Sequence, residues 1–115
     1  MPVLKRGPIV LREFSIMPNG EFVQGRRLPP PLRKRDASVV SLCFFRPMRH
    51  ATAYRCRYEI RKDGKVAHRF SVLGIDAVGA LLNAMSTVVV VLETRYLSEW
   101  RVSVPKQYFD DMRRS

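Results

Sequence analysis

The stretch AYRCRYEIRKDGKVAHRF, residues 53–70, alternates apolar and charged side chains almost without interruption. Its first half places apolar side chains at every second position: Tyr54, Cys56, Tyr58 and Ile60. A period of two is typical of a β-strand with one buried face. The stretch therefore predicts a hairpin that turns near Asp63-Gly64 and has one apolar face and one charged face.

The apolar pattern also selects a hairpin loop. A two-residue loop, Asp63-Gly64, would mix apolar and charged side chains on one face, whereas a three-residue loop, 62–64, keeps them apart. The second register pairs Ile60 with Val66, Tyr58 with His68, Cys56 with Phe70 and Tyr54 with Val72. It gathers five basic residues on the opposite face: Arg55, Arg57, Arg61, Lys65 and Arg69. Arg57 would then face Arg69, so this face is either well solvated or binds an anion.

The preceding segment SVVSLCFFR, residues 38–46, is apolar on both faces and predicts a central strand. A four-residue loop at 48–51 would set Phe45 against Tyr54 and Cys43 against Cys56. A disulfide between these cross-strand neighbours is a conditional hypothesis. Two cysteines without CxxC spacing otherwise indicate reduced, buried thiols.

Residues 1–28 predict an N-terminal hairpin around the strong turn sequence Pro18-Asn19-Gly20. Residues 29–36, PPPLRKRD, predict a stiff basic connector, because proline cannot donate to a strand ladder. The densest basic cluster of the chain spans the end of the first segment and this connector: Arg26, Arg27, Arg33, Lys34 and Arg35. The RRLPPPL sequence approaches an SH3-ligand pattern, but Leu32 stands where the final proline should be, which favours a linker.

Residues 75–95 change to a helical period. Asp76 stands where an N-cap would, and a helix is expected from about Ala77 to Thr94 or beyond. The apolar stripe follows a spacing of three and four: Val78, Leu81, Leu82, Met85, Val89, Leu92 and Tyr96. The uninterrupted run after Asp76 falls short of the roughly 20 apolar residues that a bilayer span needs, which favours a core helix.

A chain of 115 residues suffices for one domain with its own core. The expected fold class is α+β: an antiparallel meander of about five strands with one long helix packed on one face. Within this single domain the segments are the hairpin 1–28, the connector 29–36, a three-strand meander 38–73, the helix 75–95 and a C-terminal strand or tail 96–115.

Two of these segments carry a resemblance. The strand Tyr54-x-Cys56-x-Tyr58-x-Ile60 and the helix start Gly74-Ile75-Asp76-Ala77 resemble an uncharacterised family of small bacterial proteins, over about residues 44–92. In that family an aromatic-x-Cys-x-aromatic strand precedes a Gly-[Val/Ile]-Asp-[Ala/Ser] helix start. Gly79 departs from the family pattern, which usually has glutamine there. The resemblance implies an antiparallel sheet with a packed helix and no specific activity.

The net charge of +11 lies in the first part of the chain. Residues 1–35 and residues 46–69 each carry eight basic and two acidic residues, whereas residues 70–115 carry five of each. A strongly basic surface attracts polyanions, so the partner should meet the first sixty-nine residues. The N-terminus has no apolar run long enough for a secretory signal, and a cytoplasmic location is expected.

Catalytic chemistry has little support in the sequence. His50 and His68 have no neighbour at metal-ligand spacing, and no cofactor or metal is expected. Cys56 could act as a nucleophile with His68 diagonally nearby, but both belong to the face that the helix should cover, and a buried thiol is inert.

The leading hypothesis is a small non-enzymatic binding protein. It would use the basic sheet face and the basic connector to dock an acidic protein partner, for example as an immunity or antitoxin-type inhibitor. The alternatives are a nucleic-acid-binding regulator and, further off, an uncharacterised enzyme. A homodimer could form through an exposed edge strand.

Overall fold

The computed structural model describes residues 9–17, 21–25, 39–100, 104 and 106–114. These residues form six strands: β1 (Val10–Ile16), β2 (Phe22–Gln24), β3 (Val40–Phe45), β4 (Met48–His50), β5 (Ala53–Lys62) and β6 (Lys65–Gly74). A long helical segment follows, made of α1 (Ala77–Val91), a π-helical turn (Leu92–Tyr96) and α2 (Leu97–Glu99). The last element is α3 (Lys106–Arg114).

All strand pairs in the sheet are antiparallel, in the order β2-β1-β3-β5, with β6 on the other side of β5. The short β4 pairs with the first three residues of β5. The expected α+β class, with an antiparallel sheet and one long helix, is confirmed. The order differs from a simple meander, because β3 pairs with β1 and leaves β2 at the outside.

The main core lies between the sheet and the helical segment. The sheet contributes buried side chains from β1, β3 and β5, and the helices contribute a facing set. The sheet members are Phe14, Ile16, Val40, Leu42, Phe44, Cys56, Tyr58 and Ile60, and the helix members are Ala80, Ala84, Met85, Val88, Val89, Leu92, Tyr96, Phe109 and Met112. Every residue of β3 is buried, as expected for a central strand.

The β5–β6 register differs from the expected one by two residues. Asp63 and Gly64 both have positive φ, 53° and 83°, and form the two-residue turn that the apolar pattern alone disfavours. A bulge then follows, because Arg61 pairs with Val66 but Ile60 pairs with His68. The extra residue returns the apolar side chains to the core side.

The long helix begins where the sequence predicts. The Asp76 carboxylate accepts a hydrogen bond from the Gly79 amide at 2.6 Å and caps the first turn. The buried stripe is rotated from the expected one, since Val78 and Leu82 are 66% and 43% exposed while Ala80 and Ala84 are buried. Met85, Val89, Leu92 and Tyr96 are buried as expected.

Small residues face the sheet because the first turn of α1 lies against its edge. A Cβ atom on Gly74 would lie 2.6 Å from the Ala80 Cα atom. The helix backbone therefore passes Gly74 too closely for a large side chain on either element.

The segment Ala77–Glu99 is long and apolar enough to cross a membrane, judged by length and composition alone. In the structure one side of it packs on the sheet, and a third of its most apolar window is buried.

Several expectations fall outside the described residues. These are the Pro18-Asn19-Gly20 turn, the connector 29–36 and, within the expected C-terminal strand or tail, residues 101–103, 105 and 115. The C-terminal tail contains a regular helix, α3, which packs on the hairpin: the ring centroids of Phe22 and Phe109 are 6.0 Å apart.

Gly74→Ala should lower the free energy of unfolding by at least about 2 kcal/mol, because the new methyl group would meet backbone atoms of Ala80 and Gly79 that cannot turn aside. Urea unfolding of the purified protein measures this. Gly64→Ala is the control: its Cβ would meet nothing within 4 Å, so the cost should stay near the roughly 1 kcal/mol of a residue at positive φ. A smaller loss for Gly74→Ala than for Gly64→Ala would contradict the close approach.

Candidate functional site: an arginine face on the sheet

Four arginines lie on the side of β5 and β6 that faces away from α1, and we call this set the arginine face. Strand alternation sends Arg55, Arg57 and Arg61 to this side, opposite the buried Tyr58 and its neighbours. Arg69 joins them from β6. The accessible part of this side lies over β4, β5 and β6, because the residues of β3 are buried.

Glu59 lies at the centre of the arginine face and is only 5% exposed. Arg69 pairs with Glu59 across the two strands, and its Nε atom donates to Oε2 at 2.7 Å. Arg61 Nε donates to the other carboxylate oxygen, Oε1, at 2.9 Å. The expected clash of Arg57 with Arg69 is therefore wrong: Arg57 faces Ser71, and Arg69 is neutralised.

The electrostatics of Glu59 follow from this geometry. Burial alone would raise the pKa of its carboxyl group, but hydrogen bonds and charge from Arg61 and Arg69 outweigh burial and hold the pKa below its usual value. The same bond raises the pKa of Arg61. Two of the four arginines are thus engaged in a structural ion-pair network.

The other two arginines, Arg55 and Arg57, are exposed. The Arg55 Nη2 atom lies 3.2 Å from Nε2 of His50 on β4. The Arg57 guanidinium has no hydrogen bond or ion pair within the described part of the chain. It is the group of this surface best able to accept an anionic partner.

Apolar side chains flank Arg55 on both neighbouring strands. Arg55 pairs with Met48 on one side and with Leu73 on the other, and these side chains are 64% and 53% exposed. The sequence pattern did not reveal this arrangement, because it arises from the pairing of the short strand β4 with β5.

The remaining predicted basic residues are elsewhere. The two-residue turn pairs Lys65 with Lys62, whose Nζ atom lies over the Trp100 ring on the helix side of the sheet. Placing Lys65 on the charged face was wrong, because the extra bulge residue comes after it. The cluster of Arg26, Arg27, Arg33, Lys34 and Arg35 lies outside the described residues.

The two cysteines are not cross-strand neighbours. Cys43 pairs with Glu59, three residues from the expected partner Cys56, and because this shift is odd, Cys43 and Cys56 lie on opposite faces of the sheet. Both are buried and neither forms a disulfide. Burial raises the pKa of Cys56 to about 11, and its Sγ atom lies 3.4 Å from the Phe45 carbonyl oxygen. Such a thiol is a poor nucleophile.

His68 also moves away from Cys56. It pairs with Ile60, four residues along β5 from Cys56, or about 13 Å of extended strand. A nucleophile–base pair cannot form over that distance. Within the described residues, no group of three or more His, Cys, Asp and Glu side chains could hold a metal ion.

His68 instead belongs to an aromatic cluster beneath the helix. Its Nε2 atom lies 3.0 Å from the Tyr58 hydroxyl group. Burial, and then the charge of Arg95, lowers the pKa of His68, whereas burial and Tyr96 raise the pKa of Tyr58. Both shifts favour the neutral groups, which share this hydrogen bond.

Comparison with models of protein families identifies the family of this chain. A family model described as "Domain of unknown function (DUF6968)" matches residues 26–112. The chain belongs to the DUF6968 family. The matched region contains β3 to β6, and with them the whole arginine face, whereas β1 and β2 precede it. An uncharacterised family is what the sequence resemblance implied. Neither the curated proteins nor the solved structures give a match to this chain.

Glu59→Gln should lower the free energy of unfolding by about 1–3 kcal/mol at neutral pH, because Arg61 and Arg69 lose their charged acceptor. The folded-state pKa of Glu59 lies below its ordinary value of 4.5, so its contribution is present above that pH and is lost as the pH falls through the folded pKa. Urea unfolding at several pH values should show the difference from wild type shrinking in acid. A difference that is constant with pH would contradict the ion pair, and Glu99→Gln on the surface is the control.

His68 should make the fold sensitive to mild acid. Because its pKa is lowered on folding, the unfolded chain takes up the proton first as the pH falls below the ordinary 6.5, and stability declines from there down to the folded pKa. Thermal unfolding between about pH 7 and pH 5 measures the decline. His68→Gln should reduce it, whereas His50→Gln, at an exposed position, should leave it unchanged. Equal slopes in both variants would exclude His68 as the source.

Proposed function

We propose that this protein is a small non-enzymatic binding protein that docks an acidic partner protein on its arginine face. The observation that carries the proposal is the pair of exposed residues Arg55 and Arg57, with the exposed side chains of Met48 and Leu73 on either side of Arg55. Guanidinium groups bind carboxylates in a bidentate manner, and the flanking apolar side chains offer area that loses water on contact.

The chemistry of this surface favours a protein over a nucleic acid. Arginine and methionine are both enriched in protein–protein interfaces. Single-stranded nucleic acids are bound largely by stacking on aromatic side chains, and Tyr54 and Tyr58 lie on the helix side of the sheet. The ion pairs of Arg61 and Arg69 with Glu59 also lower the density of positive charge available to phosphates.

An immunity or antitoxin-type inhibitor is the concrete form of this function that we propose. Small size, uneven charge and an exposed cationic surface suit a protein that covers the site of an acidic partner. The basic cluster of residues 26–35 would add to the long-range attraction for an acidic partner. The proposal places the protein in the cytoplasm of a bacterial cell, without a membrane span.

The double variant Arg55→Glu/Arg57→Glu should weaken capture of the partner at least about a hundredfold, because each reversal replaces an attraction by a repulsion at the centre of the interface. The partner is first isolated on the immobilised wild-type protein from a nuclease-treated lysate, and its affinity for each variant is then measured by calorimetry. Arg69 is left intact, because its loss would leave Glu59 buried with one fewer partner.

Lys65→Glu is the matched control. It reverses the charge of one exposed residue on the other side of the sheet, half the change made by the double variant, and should alter the affinity less than about threefold. An acidic partner that binds the double variant as tightly as wild type would refute the arginine face as the binding site.

Fluorescence anisotropy with duplex DNA, single-stranded DNA and RNA over about 50–200 mM salt tests the alternative function. Binding that persists at the upper limit would favour a nucleic-acid function.

A further inference from the structure

The strand β6 lies at an edge of the sheet. Within the described residues it pairs with β5 and with no other strand. Two side chains of the helical segment reach its carbonyl oxygens: Tyr96 at Ala67, at 3.3 Å, and Asn83 at Leu73, at 2.9 Å. Between these two contacts, residues 68–72 have a neighbouring strand on the β5 side alone in the described part of the chain. Every second residue of this segment presents its backbone N–H and C=O groups away from β5.

The segment 68–72, which we call the open edge, lacks the features that usually protect an edge strand. Lysine, proline and bulges prevent an edge from pairing with another chain. In β6 the lysine, Lys65, and the bulge at Ala67 both come before the open edge. The open edge contains no proline, and its one charged side chain apart from the histidine, Arg69, is bound to Glu59. It is therefore able to pair with a further strand.

Exposed apolar side chains surround the open edge. They belong to β6 and to the beginning of α1, which the hydrogen bond from Asn83 holds beside the end of the strand. These side chains are 43–92% exposed: Phe70, Leu73, Ile75, Val78 and Leu82. The largest apolar patch on a typical monomer is about 300–600 Å², and five large side chains exposed to this degree form a patch of that order. A patch of this size often marks a site of protein interaction.

The distribution of charge indicates a second copy of this chain as the occupant. Residues 70–92 contain a single charged residue, Asp76, although the chain has a net charge of +11. Two copies repel each other wherever their basic surfaces approach, and this uncharged region is where they can meet with the least repulsion. An acidic foreign segment would be attracted to the arginine face instead.

We propose that two copies of this chain form a dimer by pairing their β6 strands antiparallel across a two-fold axis. Because the open edge is centred on Phe70, the axis passes beside this residue. The two Phe70 side chains then become cross-strand neighbours, and Arg69 lies opposite Ser71 of the second copy. An axis perpendicular to the sheet keeps each side chain on its own side, so both arginine faces lie on the same side of one continuous sheet. The dimer would present Arg55 and Arg57 twice to a partner.

Sedimentation equilibrium of the full chain tests the proposal, over about 1–500 µM protein in about 150 mM salt. Two such patches would bury about 1,000 Å² in total, the lower limit of a specific interface, so a dissociation constant of about 1–100 µM is expected. A protein that is still monomeric at about 500 µM would overturn the proposal.

Phe70→Lys should weaken the dimer at least about tenfold, because two lysines would meet at the axis, and circular dichroism checks that the variant is folded. Ile75→Lys replaces a side chain that is 92% exposed, so it costs no core packing and should weaken the dimer at least about threefold. Leu11→Lys, at an exposed position on β1, is the matched control and should leave the dissociation constant unchanged. Arg55→Glu/Arg57→Glu should not weaken the dimer, which separates this test from that of the partner surface.

Dissociation by Leu11→Lys alone would move the interface to β1 and overturn the proposal. Unchanged dissociation constants in both Phe70→Lys and Ile75→Lys would overturn it as well.

Cysteine cross-linking tests the position of the axis. Phe70→Cys would bring two Cα atoms to about 4.5–5.5 Å, within the range of a disulfide, whereas Ser71→Cys would leave them about 8 Å apart, which is too far. The native thiols are buried, so the unmodified chain is the background control. Mild oxidation and a non-reducing gel should show a linked dimer for Phe70→Cys only. Absence of this link, or an equal link in Ser71→Cys, would overturn the proposed pairing.

Discussion

A single extra residue in β6 determines which charged side chains lie opposite each other on β5 and β6. Ala67 forms the bulge between the pairs Arg61–Val66 and Ile60–His68, and its carbonyl oxygen lies 3.3 Å from the Tyr96 hydroxyl group, which donates to it. The bulge aligns Arg69 with Glu59. Were the strands paired two residues away, the carboxylate would lose this partner and two arginines would oppose each other.

The sequence predicts the faces of the β5–β6 hairpin and leaves its register open. Alternation has a period of two, so registers that differ by two residues give the same buried and charged faces. What separates them is the energy of particular pairs. Here the attraction of Glu59 for Arg69, together with the preference of Asp63-Gly64 for a two-residue turn, identifies the observed register. Both features can be read from the sequence. A two-residue turn at Asp63-Gly64 and a Glu59–Arg69 pair are compatible, however, only if β6 contains a bulge.

In the helix and in the candidate site, features that depend on residues close in the sequence are predictable. Features that depend on contacts between distant segments are not. Asp76 marks the helix start through a contact three residues away, which sequence reasoning can find. The burial of Ala80 rather than Val78 depends on the close approach to Gly74, which no local pattern reports. Four of the five basic residues predicted for the sheet share one side, whereas the apolar flanks Met48 and Leu73 depend on pairing across three strands.

The positions of the two cysteines make the covalent structure of the fold independent of redox conditions. Because Cys43 and Cys56 lie on opposite sides of the sheet, the backbone of the sheet separates their thiols, and oxidation cannot link them within one native molecule. Their burial also keeps other thiols away. An alkylating reagent would react with these thiols only when the sheet opens. The rate of labelling in native buffer would therefore measure how often the sheet opens.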